Sequence, residues 1–289
     1  MATTVAFKQV DVFTSSSYNG NPLAVILDAR NLSDAEMQSI ARWTHLSETT
    51  FILPPSHPEA DYQVRIFTPD TELPFAGHPT LGSAHALRES GLTPKRQGII
   101  IQQCGLGLVT LHEEPDGALA FAAPQAILTP FADHALVRQA LGSNALHGEL
   151  PVMAADMGIR WLLVPLISAD AVLALTPDTA AFAQLVTAAG VDGVMPFGPL
   201  SQGSEKYEVR GLLIEGGSLT EDPVTGSANA CLARYLAERG EQVDYRVRQG
   251  TALHRAGRLS VSWREGTPWI GGQSVTVIDG TIRLPASAR

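Results

Sequence analysis

Three side chains in this sequence could move protons or orient a ligand: Glu48, His78 and Asp222. Glu48 begins the segment 47–53, which is rich in β-branched and apolar residues and therefore predicts a strand. Burying a carboxylate is unfavourable, and burial would raise its pKa toward the range where a general acid or base works near neutral pH. The alternative is an edge residue in water.

His78 and Asp222 hold equivalent places in two similar motifs. Segments 78–86 and 222–230 share five of nine residues at an offset of 144 positions, about half of the 289-residue chain. A duplicated half-domain gives such an offset. Across a cleft, the two side chains could bind one substrate. The alternative for His78 is an interior histidine whose hydrogen bonds are made within the core. The alternative for Asp222 is an aspartate that only caps a helix.

Each motif predicts the start of a helix that packs inside a sheet or barrel. His78 and Asp222 are placed at the N-cap, and Pro79 and Pro223 at the first helical position, where a missing N–H costs nothing. The early turns are Gly, Ser and Ala, which allow close packing on all sides. Free amide groups at such helix starts suit a carboxylate, so two starts could converge on one anionic ligand. Two glycines mark the ends of these helices: Gly91 and Gly240.

The rest of the chain predicts many short strands and few helices, an α+β pattern. Ser33 and Glu36 form a capping box for a helix from Asp34 to about Thr44. The other helices predicted are 133–141 and one that ends near Gly190. The strands predicted are 5–13, 23–27, 47–53, 62–67, 99–101, 108–112, 118–122, 152–155, 161–164, 207–214, 245–249, 259–263, 269–278 and 281–284.

The periodicity breaks around 124–130, which predicts an N-terminal half-domain 1–126 and a C-terminal half-domain 127–289. In an alternative arrangement the C-terminal strand completes the N-terminal half.

Composition argues against several classes of partner. The net charge is −9 and no dense Lys/Arg cluster occurs, so neither nucleic acid nor an anionic membrane is expected. No apolar run approaches the roughly 20 residues of a membrane span. The two cysteines, Cys104 and Cys231, form no CxxC motif, and no signal-peptide pattern is present. A reducing, cytoplasmic setting is expected.

No motif predicts a metal or cofactor site. His78 and His85 lie seven residues apart, but no carboxylate or thiol completes a metal site at a familiar spacing. The glycine pairs lack the features of a phosphate loop, and no Gly-x-Ser-x-Gly elbow is present.

Taken together, several motifs make the sequence resemble the PhzF (phenazine-biosynthesis) isomerase family. They are Asn19-Gly20-Asn21-Pro22-Leu23-Ala24-Val25, Leu46-Ser47-Glu48-Thr49-Thr50-Phe51, Arg65-x-Phe67-Thr68-Pro69, Glu72 to Gly82 and Glu221 to Ala228. The resemblance implies the diaminopimelate-epimerase-like fold. In that fold two pseudo-symmetric domains each wrap a β-barrel-like sheet around a central helix, and the active site lies in the cleft between them. It also implies a homodimer and no cofactor.

The resemblance also assigns roles to residues. It implies that Glu48 is the acid/base and that His78 and Asp222 complete the catalytic set. Gly77, Gly226 and Ser227 are the expected substrate contacts. The epimerases of this fold use a cysteine at each central helix start. Here those starts carry Ala76-Gly77-His78 and Asp222-Pro223, which favours proton shuttling by a single carboxylate.

The sequence therefore predicts a cofactor-independent isomerase of a small carboxylated substrate, similar to trans-2,3-dihydro-3-hydroxyanthranilate isomerase. One segment departs from the family pattern: Arg210-Gly211-Leu212-Leu213 stands where Phe-Ala-Pro usually follows the arginine. Two alternatives stay open. One is a non-catalytic ligand-binding or interaction protein of the same fold, which this departure could serve. The other is an amino-acid epimerase with bases other than cysteine.

Overall fold

The computed structural model describes residues 4–284, which form nineteen strands and six α-helices. The elements up to residue 122 are β1 (Thr4–Val12), β2 (Asn21–Ile26), α1 (Asp34–Thr44), β3 (Glu48–Leu53), β4 (Tyr62–Phe67), β5 (Glu72–Leu73), α2 (Gly77–Glu89), β6 (Ile99–Cys104), β7 (Gly107–Glu113) and β8 (Leu119–Ala122).

The elements that follow are β9 (Ile127–Pro130), α3 (His134–Leu141), β10 (Met153–Asp156), β11 (Arg160–Pro165), α4 (Ala169–Leu173), α5 (Thr179–Ala189), β12 (Gly193–Pro199), β13 (Tyr207–Val209), β14 (Gly211–Glu215), β15 (Ser218–Asp222), α6 (Gly226–Ala237), β16 (Tyr245–Gln249), β17 (Gly257–Arg264), β18 (Thr267–Gly272) and β19 (Ser274–Arg283). A short 3₁₀ turn, Thr251–Leu253, follows β16. None of the helices in 4–284 is both long and apolar enough to pass through a membrane.

The chain packs as two compact units. The first runs to Ala122 and resumes at Gly271, and the second is Ala123–Ile270. The C-terminal strand belongs to the first unit, where β19 pairs antiparallel with β1. The half-domain limits 1–126 and 127–289 stay a prediction.

In the first unit, antiparallel and parallel strand pairs alternate around the central helix α2. β1 is antiparallel to β2, β2 parallel to β3, β3 antiparallel to β4, β4 parallel to β6, and β6 antiparallel to β7. Helix α1 makes the crossover between β2 and β3. A Cβ added to Gly82 in α2 would lie 2.6 Å from a Leu23 methyl and 2.8 Å from a Val12 methyl. Glycine therefore lets α2 pack directly on β1 and β2.

The second unit repeats this order of connections around α6. β10 is antiparallel to β11, β11 parallel to β12, β12 antiparallel to β13, β13 parallel to β16, and β16 antiparallel to β17. Helices α4 and α5 occupy the crossover between β11 and β12, as α1 does in the first unit. The α+β class and the duplicated half-domain plan predicted from sequence are confirmed by this repeat.

The predicted N-caps of the two central helices are wrong. Helix α2 begins at Gly77 after an extended Ala76, so His78 is its second residue. Helix α6 begins at Gly226 after Thr225, whereas Asp222 is the last residue of β15 and pairs with Gly211 of β14. The hairpin pairing keeps Asp222 extended, so the helix cannot start there.

The helix ends and the first helix were predicted correctly. Gly91 and Gly240 follow α2 and α6 with φ of 94° and 81°, the left-handed conformation that ends a helix and favours glycine. The Ser33–Glu36 capping box is present at the start of α1.

Two predicted strands are each divided in the structure. The segment 207–214 is broken at Arg210 into β13 and β14, because the Arg210 N–H bonds to Pro196 O outside either ladder. The segment 269–278 is divided between β18 and β19. Strands β5, β9, β12 and β15 and helix α4 were not predicted.

Candidate active site

Glu48 and His78 form a mostly buried pair in the first unit. Glu48 opens β3, beside Leu23 of the parallel neighbour β2. Its Oε2 lies 3.2 Å from Nε2 of His78, and the two side chains are 15% and 5% exposed respectively. The alternative of an edge carboxylate in water is therefore wrong. The structure brings together the acid/base candidate and the first of its predicted partners.

The surroundings of His78 define its protonation state. Burial lowers the pKa of His78 to about 3, so the ring is neutral near pH 7. On the ring's other side, Asn21 Nδ2 donates to Nδ1 across 3.4 Å. A neutral imidazole carries one N–H, and Nδ1 is the acceptor here, so the hydrogen sits on Nε2. The N–H of the neutral ring is therefore on the nitrogen that lies 3.2 Å from Glu48 Oε2.

Buried hydrogen bonds tie α2, which carries His78, to β3, which carries Glu48, and to β6. The Ser83 hydroxyl donates to Thr50 Oγ1 at 2.9 Å, and Thr50 donates to the Ala24 carbonyl. On the other side of the helix, Gln102 Nε2 donates to Thr80 Oγ1 at 2.9 Å. Buried polar groups that are fully hydrogen-bonded favour a single relative position of the helix and strand that carry them. These bonds therefore hold α2 and β3 so that His78 stays beside Glu48.

Asp222 lies beside the start of α6 in the second unit. Its Oδ2 accepts a 2.6 Å hydrogen bond from the hydroxyl of Thr225, the N-cap residue. Gln249 binds the segment Asp222 to Thr225 between β15 and α6, which we call the corner. Its Oε1 accepts from the Thr225 N–H, and its Nε2 donates to the Asp222 carbonyl and to Thr225 Oγ1. A Cβ on Gly211 would lie 2.4 Å from Thr225 Oγ1, so the departure from the family pattern includes a glycine that the corner needs.

The other departure residue, Arg210, forms a buried ion pair. Its Nε and Nη2 both donate to Glu221 Oε2, at 3.0 and 2.6 Å. The two side chains are 11% and 7% exposed. Arg210, which lies between β13 and β14, is thus linked to β15 through Glu221, the residue before Asp222.

The three predicted substrate contacts lie at helix starts. Gly77 is the first residue of α2, and Gly226 and Ser227 are the first two of α6. Helix geometry leaves the first N–H groups without an intrahelical carbonyl; the first such bond in α6 runs from Asn229 to Thr225. Ser227 Oγ accepts from Trp161 Nε1 at 3.1 Å, which orients its hydroxyl.

Each set of predicted residues lies within one unit. Glu48, His78 and Gly77 belong to the first, and Asp222, Gly226 and Ser227 to the second. Sequence reasoning did not single out Asn21 or Thr225. Asn21 and Thr225 both lie inside motifs already noted.

The thiols take no part in this site. Cys231 is buried within α6, where its Sγ contacts the Met157 sulfur at 3.2 Å, and burial raises its pKa. Burial also raises the pKa of Cys104, which favours the protonated thiol. Within 4–284, no three His, Cys, Asp or Glu side chains group in a way that could hold a metal ion.

Comparison with known proteins identifies the class. The PhzC-PhzF family, described as "Phenazine biosynthesis-like protein", matches residues 10–280. Antisense-enhancing sequence 1 of Schizosaccharomyces pombe is 38% identical over 95% of this chain and 97% of that protein. A trans-2,3-dihydro-3-hydroxyanthranilate isomerase of Pseudomonas fluorescens is 33% identical over 95% and 98%. The crystal structure of a Bacillus anthracis phenazine biosynthesis protein of the PhzF family gives a TM-score of 0.86 at 26% identity, covering 97% and 99%.

The fold and the matches together define an isomerase with the diaminopimelate-epimerase-like fold. The chain belongs to the PhzC-PhzF, phenazine biosynthesis-like family. The family, the fold and the enzyme class predicted from sequence are therefore confirmed.

Proposed function

We propose that this chain is a cofactor-independent isomerase that moves a proton between carbons of a small carboxylated substrate, with Glu48 as the single acid and base. The observation that carries the proposal is the 3.2 Å approach of a neutral His78 to the Glu48 carboxylate. The substrate class follows that of the relatives called trans-2,3-dihydro-3-hydroxyanthranilate isomerase.

The neutral state of His78 suits this chemistry. An imidazolium beside Glu48 would favour the charged carboxylate and weaken it as a base. A neutral N–H donor orients the carboxylate without cancelling its charge, so Glu48 can take a proton from carbon. The protonated Glu48 can then return it to a second carbon on the same face of the substrate. Such acid–base help contributes roughly 10²–10⁴-fold.

The helix starts supply binding groups for the substrate. Amide groups and partial positive charge at the starts of α2 and α6 favour a carboxylate, which gives Gly77, Gly226 and Ser227 their proposed role. Asp222 is an acceptor, so it would bind a hydroxyl or ammonium group of the substrate. The contact at the start of α2, in the same unit as Glu48, would orient the reacting carbon for proton transfer.

A deuterium experiment tests the proposal. Purified protein is incubated in D2O with trans-2,3-dihydro-3-hydroxyanthranilate, and the product is followed by NMR and mass spectrometry. We expect isomerisation with deuterium at the carbon that receives the proton, unchanged by chelators. If the protein converts neither this compound nor other small cyclic carboxylates, the proposed activity is wrong.

The homodimer stays a prediction of the family resemblance, and the cytoplasmic setting stays a prediction from the composition and the cysteines. Light scattering on the purified protein tests the first: a mass twice that of the 30.7 kDa chain supports it, and the mass of a single chain contradicts it.

A further inference from the structure

Asn21 lies against the ring of His78 at the start of β2. Its side chain is fully buried, and its Nδ2 lies 3.4 Å from His78 Nδ1. The contact follows from the packing of α2 on β1 and β2, since Gly82 of α2 lies one turn after His78 and touches Leu23 and Val12. The ring is thus held between an amide on one side and a carboxylate on the other.

The turn before Asn21 is itself fixed. Asp11, only 2% exposed, accepts the N–H groups of Asn19 and Gly20 through Oδ2, at 2.8 and 3.1 Å. A Cβ on Gly20 would lie 2.2 Å from Val12 O, so only glycine fits there. The turn and the β1–β2 ladder, where Val12 faces Asn21, leave the Asn21 amide in one place.

We infer that Asn21 is a positioning residue, which holds His78 in the tautomer that points an N–H at Glu48. The inference rests on the proposed role of Glu48. Asn21 donates from Nδ2 to Nδ1, so the one hydrogen of the neutral ring must sit on Nε2. Without that donor, Nδ1 could carry the hydrogen, and Nε2 would then present a lone pair to the Glu48 carboxylate.

Two substitutions separate this role from simple packing. Asn21→Ala removes the donor. Asn21→Asp keeps the size but replaces the donor by an acceptor, which requires a hydrogen on Nδ1. The ring would then either lose its N–H toward Glu48 or become an imidazolium. Asn19→Ala is the matched control, because the Asn19 side chain donates to the nearby Ser17 carbonyl and does not contact His78.

The experiment uses the full chain labelled with ¹⁵N at histidine. The chain has eight histidines, and the His78 signals are those lost in His78→Gln. In the wild type and in Asn19→Ala near pH 7, we expect Nδ1 to give the signal of an unprotonated nitrogen and Nε2 that of an N–H. In Asn21→Asp we expect an N–H signal at Nδ1. Thermal unfolding of each variant identifies any that fail to fold.

Turnover gives an independent readout. We expect Asn21→Ala to lower kcat by about 10- to 100-fold with little change in KM, since misplaced catalytic groups cost rates of this order. An Nδ1–H tautomer in the wild type, or unchanged His78 signals in folded Asn21→Asp, would overturn the inference. The ring signals do not depend on turnover, so expected signals in a protein without isomerase activity would support the role of Asn21 and contradict only the proposed reaction.

Discussion

Glu48 and His78 meet at 3.2 Å because β3, which begins with Glu48, and α2, whose second residue is His78, both pack on strand β2. Glu48 opens β3 beside Leu23 of β2, and Gly82, one turn after His78 in α2, touches the same Leu23. Their geometry is therefore a property of backbone packing, and substitutions in that packing should change the chemistry.

The contact at Gly82 gives the first prediction. Gly82→Ala should destabilise the protein by roughly 1–3 kcal/mol, because its Cβ would overlap Leu23 and Val12, despite the better helix propensity of alanine. It should also lower kcat as α2 moves His78 from Glu48. Urea unfolding and turnover measure the two effects. Gly280→Ala is the control in the same unit, where an added Cβ meets nothing within 4 Å; equal effects of both substitutions would contradict the packing argument.

The buried His78 predicts how stability depends on pH. Its pKa is lowered by burial from 6.5 to about 3, so the unfolded chain binds a proton between these values and the folded chain does not. The stability that this group contributes is thus present above about pH 6.5 and is lost as pH falls toward 3. His78→Gln should lose less stability than the wild type between about pH 7 and pH 5, measured by urea unfolding at each pH. An equal pH dependence in both proteins would exclude a neutral, buried His78.

Gln249 should stabilise the start of α6. Gln249→Met keeps much of the volume but leaves the buried Thr225 N–H without its acceptor, which typically costs about 1–3 kcal/mol. Urea unfolding measures the loss, with the exposed Gln139→Met as control. If this variant is as stable as the wild type, Gln249 does not organise the corner that holds Asp222.

The Glu208–Arg248 pair gives a prediction outside the site. Glu208 is fully buried and accepts from Arg248 Nε. Burial raises the pKa of Glu208 even with Arg248 present. Arg248→Leu should cost about 3–5 kcal/mol at neutral pH by leaving a buried charge. The folded-state pKa is raised, so the charged form is the unfavourable one, and the loss should be smaller near pH 5 than near pH 8. Urea unfolding at both pH values checks this, and a loss that grows on acidification would contradict it.

The site was predictable where local chemistry dictates structure. The Ser33–Glu36 capping box gave the bounds of α1, and the apolar, β-branched run after Glu48 gave β3. The predicted N-cap positions of His78 and Asp222 were wrong. Pro79 and Pro223 suggested that each helix begins at the proline, but in the structure the neighbouring backbone is extended where the caps were predicted. Ala76 stays in the β region, and the hairpin partner Gly211 keeps Asp222 in β15.

Partners fixed by long-range packing could not be predicted. Strand β15 is short and polar, and it exists because the Gly216-Gly217 turn, with positive φ at both residues, folds it onto β14. The contact from Asn21 to His78 likewise depends on how closely α2 approaches β2. The Gly216-Gly217 pair is a local hairpin signal that could have indicated β15, whereas the contact from Asn21 to His78 has no local sequence signal.

Glu48→Gln tests the central claim most directly, with the exposed Glu59→Gln as matched control. Both variants are incubated with trans-2,3-dihydro-3-hydroxyanthranilate in D2O, and binding is measured separately by calorimetry. We expect Glu48→Gln to bind the compound but to lose turnover and deuterium incorporation by at least about 10²-fold, with Glu59→Gln like the wild type. Full turnover with deuterium incorporation in Glu48→Gln would show that Glu48 is not the proton carrier.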